Sequence, residues 1–211
     1  MDGPRLASYR ALAQKSGLWL SLGGFHESGA PGGRVYNTHV VVDDAGDIRS
    51  QYRKIHLFDV DVPNGPILLE SRYTAPGDAQ ACVVPTPFGF TLGLTTCYDL
   101  RFPELYMALV KNGADVLLVP SAFTVPTGKA HWHLLLRARA VESQAYVLAA
   151  AQAGRHSEKR ESYGHALAVD PWGEVLADAG ATASPEIVTV QIDAARIRSV
   201  RERMPIQSHR R

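Results

Sequence analysis

Residues 93–104 read Gly93-Leu94-Thr95-Thr96-Cys97-Tyr98-Asp99-Leu100-Arg101-Phe102-Pro103-Glu104. The apolar start reads as a strand that delivers Cys97 to its C-terminal end. A tight turn follows, and a helix opens with Pro103 near its first turn and Glu104 behind it. A thiol at such a junction faces backbone N–H groups that are not yet in helix hydrogen bonds. Those donors favour a thiolate and can hold a developing oxyanion. The competing reading is an inert core cysteine, because free Cys is among the most buried residue types. The order strand, Cys, turn, helix weighs against it. Cys82 is the contrast: in Ala81-Cys82-Val83-Val84 it sits inside an apolar strand with no turn behind it, and reads as a small core residue.

Upstream of this stretch, residues 5–16 have helical apolar spacing with Gly17 as a stop. Strands are expected over 18–25, 35–42 and 48–57, joined by turns at 28–33 and 43–46. Residues 58–79 are long, rich in Pro, Gly and Asp, and show no period. Residues 82–85 and 90–96 read as a hairpin. Beyond Cys97 helices and strands alternate. Helices are expected over 101–112 and 131–144, with strands over 115–119 and 146–151. A polar loop is expected over 154–163, then a hairpin of 165–169 and 174–177 around Asp170-Pro171-Trp172-Gly173. Residues 187–192 read as a last strand and 194–204 as a last helix. Hairpins interleaved with helix–strand units imply sheets covered by helices on their outer faces, a layered α/β arrangement in one domain over residues 1–211.

Hydrophobic residues make up 45% of the 211 and charged residues 20%, with a net charge of +1. That balance suits a globular core and gives no reason to expect nucleic acid or an anionic membrane as partner. No apolar run approaches the roughly 20 residues of a membrane span, and no signal core follows Met1. Two cysteines do not make a disulfide framework, so a reduced, cytoplasmic compartment is expected.

Two further segments carry candidate chemistry. In Tyr52-Arg53-Lys54-Ile55-His56-Leu57, a strand would place Lys54, His56 and Phe58 on one face, with Arg53, Ile55 and Leu57 on the other. Taken alone, this reads as an edge strand decorated with cations. Glu70, in Leu68-Leu69-Glu70-Ser71-Arg72-Tyr73, is on its own a solvated carboxylate. His131 and His133 flank Trp132, but no third ligand appears at metal-site spacing and there is no H-E-x-x-H. No C-x-x-C pair, Gly-rich phosphate loop or G-x-S-x-G elbow is present.

Together these segments resemble the nitrilase superfamily. Arg53-Lys54-Ile55-His56-Leu57 is similar to its lysine motif and Cys97–Glu104 to its cysteine motif. Glu70, ahead of Thr74-Ala75-Pro76-Gly77-Asp78, resembles its second glutamate. Pro120-Ser121-Ala122-Phe123, Arg137–Glu142 and Tyr163-Gly164-His165 match further downstream. Gly23–Glu27 and Tyr146–Gly154 look most like the deaminated-glutathione amidase branch, with the ω-amidase branch next.

The resemblance implies a four-layer α-β-β-α sandwich, a homodimer packed through helical faces, and no metal or organic cofactor. It implies hydrolysis of a small amide carrying one or more carboxylates. Cys97 would attack the amide carbon, and Lys54 and the Tyr98 N–H would hold the oxyanion. Glu70 would orient Lys54 or the substrate nitrogen. Ammonia would leave, and water would resolve a thioester. Candidate substrate contacts are Tyr98, Ala122, Phe123, His131, Trp132 and Arg155. Arg155 belongs to a basic loop with His156, Lys159 and Arg160 that is as readily a plain exposed loop. The family's general base is another glutamate, which belongs on a strand ahead of the one expected at Leu18. Residues 1–17 hold no glutamate, and their one carboxylate is Asp2. Glu27 belongs to a different strand in the family pattern. The first strand, first helix and base are therefore expected upstream of Met1, in longer forms that could also be mitochondrial. The chain as written is expected to be impaired, or to serve as a non-catalytic binding scaffold.

Overall fold

The helix expected over residues 5–16 is α1 (Pro4–Ser16), stopped by Gly17 in the left-handed conformation at φ +63°, where a Cβ would be penalised. The computed structural model describes residues 3–61, 67–158, 160–182, 184 and 186–211. Asp2, Lys159 and part of the 58–79 stretch lie outside them.

α1 packs on an antiparallel sheet of β1 (Leu20–Glu27), β2 (Val35–Val42) and β3 (Ile48–Arg53), in the order β1-β2-β3. Alternation along β2 fixes what lies on each side. Val40 and Val42 join Leu6 and Ala13 of α1, while Val41 points the other way into the main core. A strand apolar on both faces is buried on both.

The strand expected over 48–57 stops at Arg53. Lys54 N–H still reaches Asn37 O at 2.8 Å. The next donors leave the ladder: His56 N–H goes to Asp99 Oδ1 at 3.1 Å and Phe58 N–H to Glu70 Oε2 at 2.7 Å. Two carboxylates end the strand by capturing its backbone. The stretch read as aperiodic contains a small hairpin, β4 (Asp59–Asp61) with β5 (Ile67–Leu69), and a 3-10 turn over Glu70–Arg72. β6 (Thr74–Ala75) then returns to pair parallel with β2. Just beyond it Gly77 N–H bonds Lys54 O at 2.9 Å, and a Cβ on Gly77 would collide with the Arg53 backbone. Only glycine lets the chain lie this close beside Lys54.

The second sheet begins with β7 (Cys82–Pro85) and β8 (Thr91–Leu94), the expected hairpin. A 3-10 turn (Cys97–Arg101) leads into α2 (Pro103–Lys111), followed by β9 (Val116–Leu118), α3 (Val125–Ser143) and β10 (Tyr146–Ala149). α3 starts six residues earlier than expected. Pro126 lies in its first turn, where no donor is needed. The polar loop over 154–163 is instead a separate hairpin, β11 (Ala153–Ser157) with β12 (Arg160–Tyr163). β13 (Leu167–Val169) and β14 (Val175–Asp178) complete a six-stranded sheet ordered β14-β13-β10-β9-β8-β7. The strand expected over 187–192 joins no ladder, and Ile187 is 93% exposed. α4 (Ala194–Arg203) and α5 (Ile206–His209) end the chain; Asp193 caps α4 by accepting the Ala195 N–H.

Val41 and Tyr52 of the first sheet meet Val84, Leu94, Leu117 and Val147 of the second. Leu105, Leu109, Trp132 and Leu136 of α2 and α3 join the same core. The expected four layers are thus present: α1, sheet, sheet, then α2 with α3.

His39 of β2 bridges the layers and is fully buried. Its Nδ1 lies 2.9 Å from Thr95 O, and its Nε2 lies 2.8 Å from Ser21 Oγ. A carbonyl can only accept, so Nδ1 carries the proton and Nε2 accepts from the serine. Burial pushes this imidazole down to about 4. The unfolded chain, with a histidine near 6.5, binds the extra proton first. Stability from this group is therefore full above about pH 6.5 and falls as pH drops toward 4. Urea unfolding should show about 2 kcal/mol less stability at about pH 5 than at about pH 7.5. Glu27, whose carboxyl is held below its ordinary 4.5 by Arg53, contributes little in that window. His39→Gln should flatten the slope. An equal slope in parent and variant would remove the assignment.

Candidate active site

The parallel ladder of β8 and β9 runs on past both strands. Thr95 N–H bonds Leu118 O at 3.1 Å and Cys97 N–H bonds Pro120 O at 3.0 Å. At the C-terminal end of this ladder Cys97 takes a left-handed φ of +51°. Such a backbone costs a non-glycine residue about 1–3 kcal/mol and persists only where its surroundings enforce it. The turn's bonded donors begin with Asp99 N–H to Thr96 O at 3.1 Å; the Tyr98 N–H stands ahead of them.

Asp99 enforces the turn. It is fully buried and accepts Thr96 N–H at 2.8 Å, Tyr52 Oη–H at 2.7 Å, His56 N–H at 3.1 Å and His56 Nδ1–H at 2.8 Å. A single carboxylate thus ties the lysine segment to the cysteine turn. The His56 ring stacks on Phe102 with centroids 3.6 Å apart. Burial, and then the Asp99 charge, push the Tyr52 phenol well above its usual range. Sequence reasoning missed Asp99 and Tyr52. The available signals were slight: an aspartate two places after the cysteine, and a tyrosine two before the lysine.

Lys54 is 2% exposed, and its Nζ lies 2.5 Å from Glu70 Oε2. The same oxygen takes the Phe58 N–H, and Asn37 Nδ2 is 3.5 Å from Oε1. Neither the surface-cation reading of Lys54 nor the solvated reading of Glu70 survives this placement. A pair this buried is costly to break, because the survivor keeps an uncompensated charge.

Cys97 is half-buried. Burial pushes its thiol up, while the Lys54 charge and the Ala122 backbone pull it down; Glu70 and Asp99 push up again. The upward push prevails, so at neutral pH the group is a thiol and its proton must be removed as it attacks.

The other expected residues divide. Tyr98 lies edge-on to Phe58 and Phe102, at 5.0 and 5.4 Å between centroids, and the Ala122 backbone helps to lower the Cys97 thiol. Phe123 is buried against Trp132 at 4.8 Å. Trp132 is a core residue whose Nε1–H bonds His165 O at 2.8 Å. His131 is exposed and lies 3.4 Å from the Arg101 guanidinium. Arg155 is exposed and donates to carbonyls of its own hairpin, Ser157 O at 3.2 Å and Glu158 O at 3.4 Å. The Trp132 indole is thus engaged in core packing and the Arg155 guanidinium in bonds within its own hairpin.

The chain matches the carbon-nitrogen hydrolase family model over residues 1–202. It is 48% identical to the deaminated glutathione amidase of Rattus norvegicus over the whole of this chain and 64% of that protein, so it spans a little under two thirds of that relative. It is 47% identical to the deaminated glutathione amidase of Dictyostelium discoideum, over 99% of this chain and 72% of that one. The crystal structure of the Caenorhabditis elegans NitFhit protein superposes with a TM-score of 0.90 at 46% identity, covering 100% of this chain and 50% of that one. A cysteine, a lysine and a glutamate gathered at one sheet end thus sit in a fold and sequence shared along the whole chain, which belongs to the carbon–nitrogen hydrolase family.

Proposed function

We propose that this domain serves amide hydrolysis, with Cys97 as nucleophile and a small carboxylated amide such as deaminated glutathione as substrate. The convergence of Cys97, Lys54 and Glu70 carries the reading. Cys97 attacks the amide carbon while a base takes its proton. The Lys54 ammonium and the Tyr98 N–H meet the oxyanion, and Glu70 holds Lys54 in place through a charge-assisted bond. For a substituted amide the leaving group is the amine rather than ammonia. Water then resolves the thioester. The similarity to deaminated glutathione amidases supports the substrate class, and ω-amidase chemistry would use the same cluster.

Removing one oxyanion donor typically costs about 2.7–4 kcal/mol, a factor of 10²–10³ in turnover. Lys54→Met should therefore cut amine release from deaminated glutathione by about that factor, with circular dichroism unchanged. The test uses a form extended upstream to include a second carboxylate. A variant within a few-fold of its parent would return Lys54 to a structural role.

One observation favours a second reading for residues 1–211 alone. The two carboxylates that weigh most on the Cys97 thiol are already engaged, Asp99 by four contacts and Glu70 by Lys54 and Phe58. A site with nucleophile and oxyanion donors whose neighbouring carboxylates are both committed would bind substrate and turn it over slowly.

A further inference from the structure

His133 on α3, His165 just before β13 and Asp178 ending β14 point their donor atoms at one place. His133 Nε2 lies 2.9 Å from Asp178 Oδ2, and His165 Nδ1 lies 2.9 Å from Oδ1 and 3.1 Å from Oδ2. All three donor atoms lie within 4.8 Å of one another. We propose that these residues form a binding site for a borderline divalent transition ion of the Zn²⁺ class, holding it by two imidazole nitrogens and one carboxylate.

Two neutral imidazoles and a carboxylate are the donor set such ions take, at about 2.0–2.2 Å per bond. Tetrahedral donors at those lengths stand about 3.3 Å apart. The two nitrogen–oxygen separations need open by only a few tenths of an ångström. The surroundings already aim the ligands. His165 is held at φ +58°, a left-handed backbone at a non-glycine residue, and its N–H bonds Gly180 O at 2.6 Å. Its carbonyl takes the Trp132 indole N–H, from the residue beside His133. Its ring stacks on Tyr163, with centroids 4.4 Å apart. Gly180 N–H bonds Asp178 Oδ1 at 2.8 Å, the outer-shell contact that orients a ligating carboxylate. The three side chains are 35%, 20% and 31% exposed for His133, His165 and Asp178, which leaves room for water as a further ligand.

The ion would fasten the edge strand β14 and the approach to β13 onto α3, a cross-link between helix layer and sheet. Spacing along the chain hid the site: His133 and Asp178 are 45 residues apart, and the approach to β13 supplies the other imidazole.

The test is titration calorimetry with Zn²⁺ on the 211-residue chain carrying Cys97→Ala and Cys82→Ser, so that neither thiol can compete, with Co²⁺ absorption as a second probe. One ion per chain is expected, with a Co²⁺ spectrum lacking a sulfur charge-transfer band. Removing a ligand should weaken binding by more than the roughly 10–100-fold that loss of an outer-shell partner costs. His133→Gln, on a half-exposed helix face, tests this with little risk to folding. His165→Asn tests it with a residue that tolerates the left-handed backbone. Absence of stoichiometric binding in the parent, or unchanged affinity in folded His133→Gln and His165→Asn, overturns the site.

Discussion

Cys97→Ala is expected to abolish amide hydrolysis, and Cys82→Ser to leave most of it, in a form that includes an upstream carboxylate. Both thiols are free and half-buried, so exposure does not separate them. Their surroundings do. Cys82 lies within β7, its Sγ 2.9 Å from Ser50 Oγ across the gap between the sheets. A hydroxyl can replace that sulfur in the same bond, so serine should be tolerated with a small loss of packing. Cys97 sits on a strained backbone, and its thiol feels the Lys54 charge and the Ala122 backbone. Alanine removes only the sulfur and leaves the turn to Asp99, so the variant should fold. Uncatalysed amide hydrolysis is slow enough that loss of the nucleophile reads as zero against a catalysed rate raised at least about 10⁶-fold. Parallel assays of the two variants, with thermal unfolding as control, decide it. Equal losses from both changes would mean that the sulfur at position 97 has no special part.

How much of this was legible beforehand differs by element. The cysteine turn could be read because its signals are local: an apolar strand, a proline in the first helical turn, and a polar break between them. β2 and β7 were placed to the residue for the same reason. β3 was overextended because what ends it is not in its own sequence; Asp99 and Glu70 arrive from elsewhere and take its N–H groups. Residues 154–163 look polar because the hairpin they form stands apart from the two core sheets. Residues 187–192 look like a strand because Val188, Val190 and Ile192 alternate with Thr189 and Gln191, yet among the described residues no strand pairs with them. Lys54 and Glu70 became a pair only through the resemblance and then the fold. Nothing local joins two residues that meet across 16 positions of aperiodic chain.

Residues 1–211 expressed alone are expected to turn over deaminated glutathione about 10²–10⁴ times more slowly than a form extended upstream, the usual worth of general-base catalysis. The argument rests on the thiol and its neighbours. Burial keeps Cys97 protonated at neutral pH, so a carboxylate with a spare lone pair must stand within about 2.6–3.2 Å of it. Asp99 is saturated by four contacts and would release the turn if it moved. Glu70 is spent on Lys54 and the Phe58 N–H; taking the proton would neutralise it and strand the buried lysine. Glu27 lies on the far side of the first sheet. It is bound to Thr38 at 2.7 Å and to Arg53 at 2.5 Å, and those contacts hold its carboxyl below the usual range, making it a weaker base. Glu70 and Asp99 are thus the carboxylates that weigh most on the Cys97 thiol, and both are committed elsewhere. The measurement is amine release by the two forms side by side, each first shown to be folded by hydrogen exchange. Comparable rates from two folded forms would place the base inside these 211 residues, with Glu70 the group to test next.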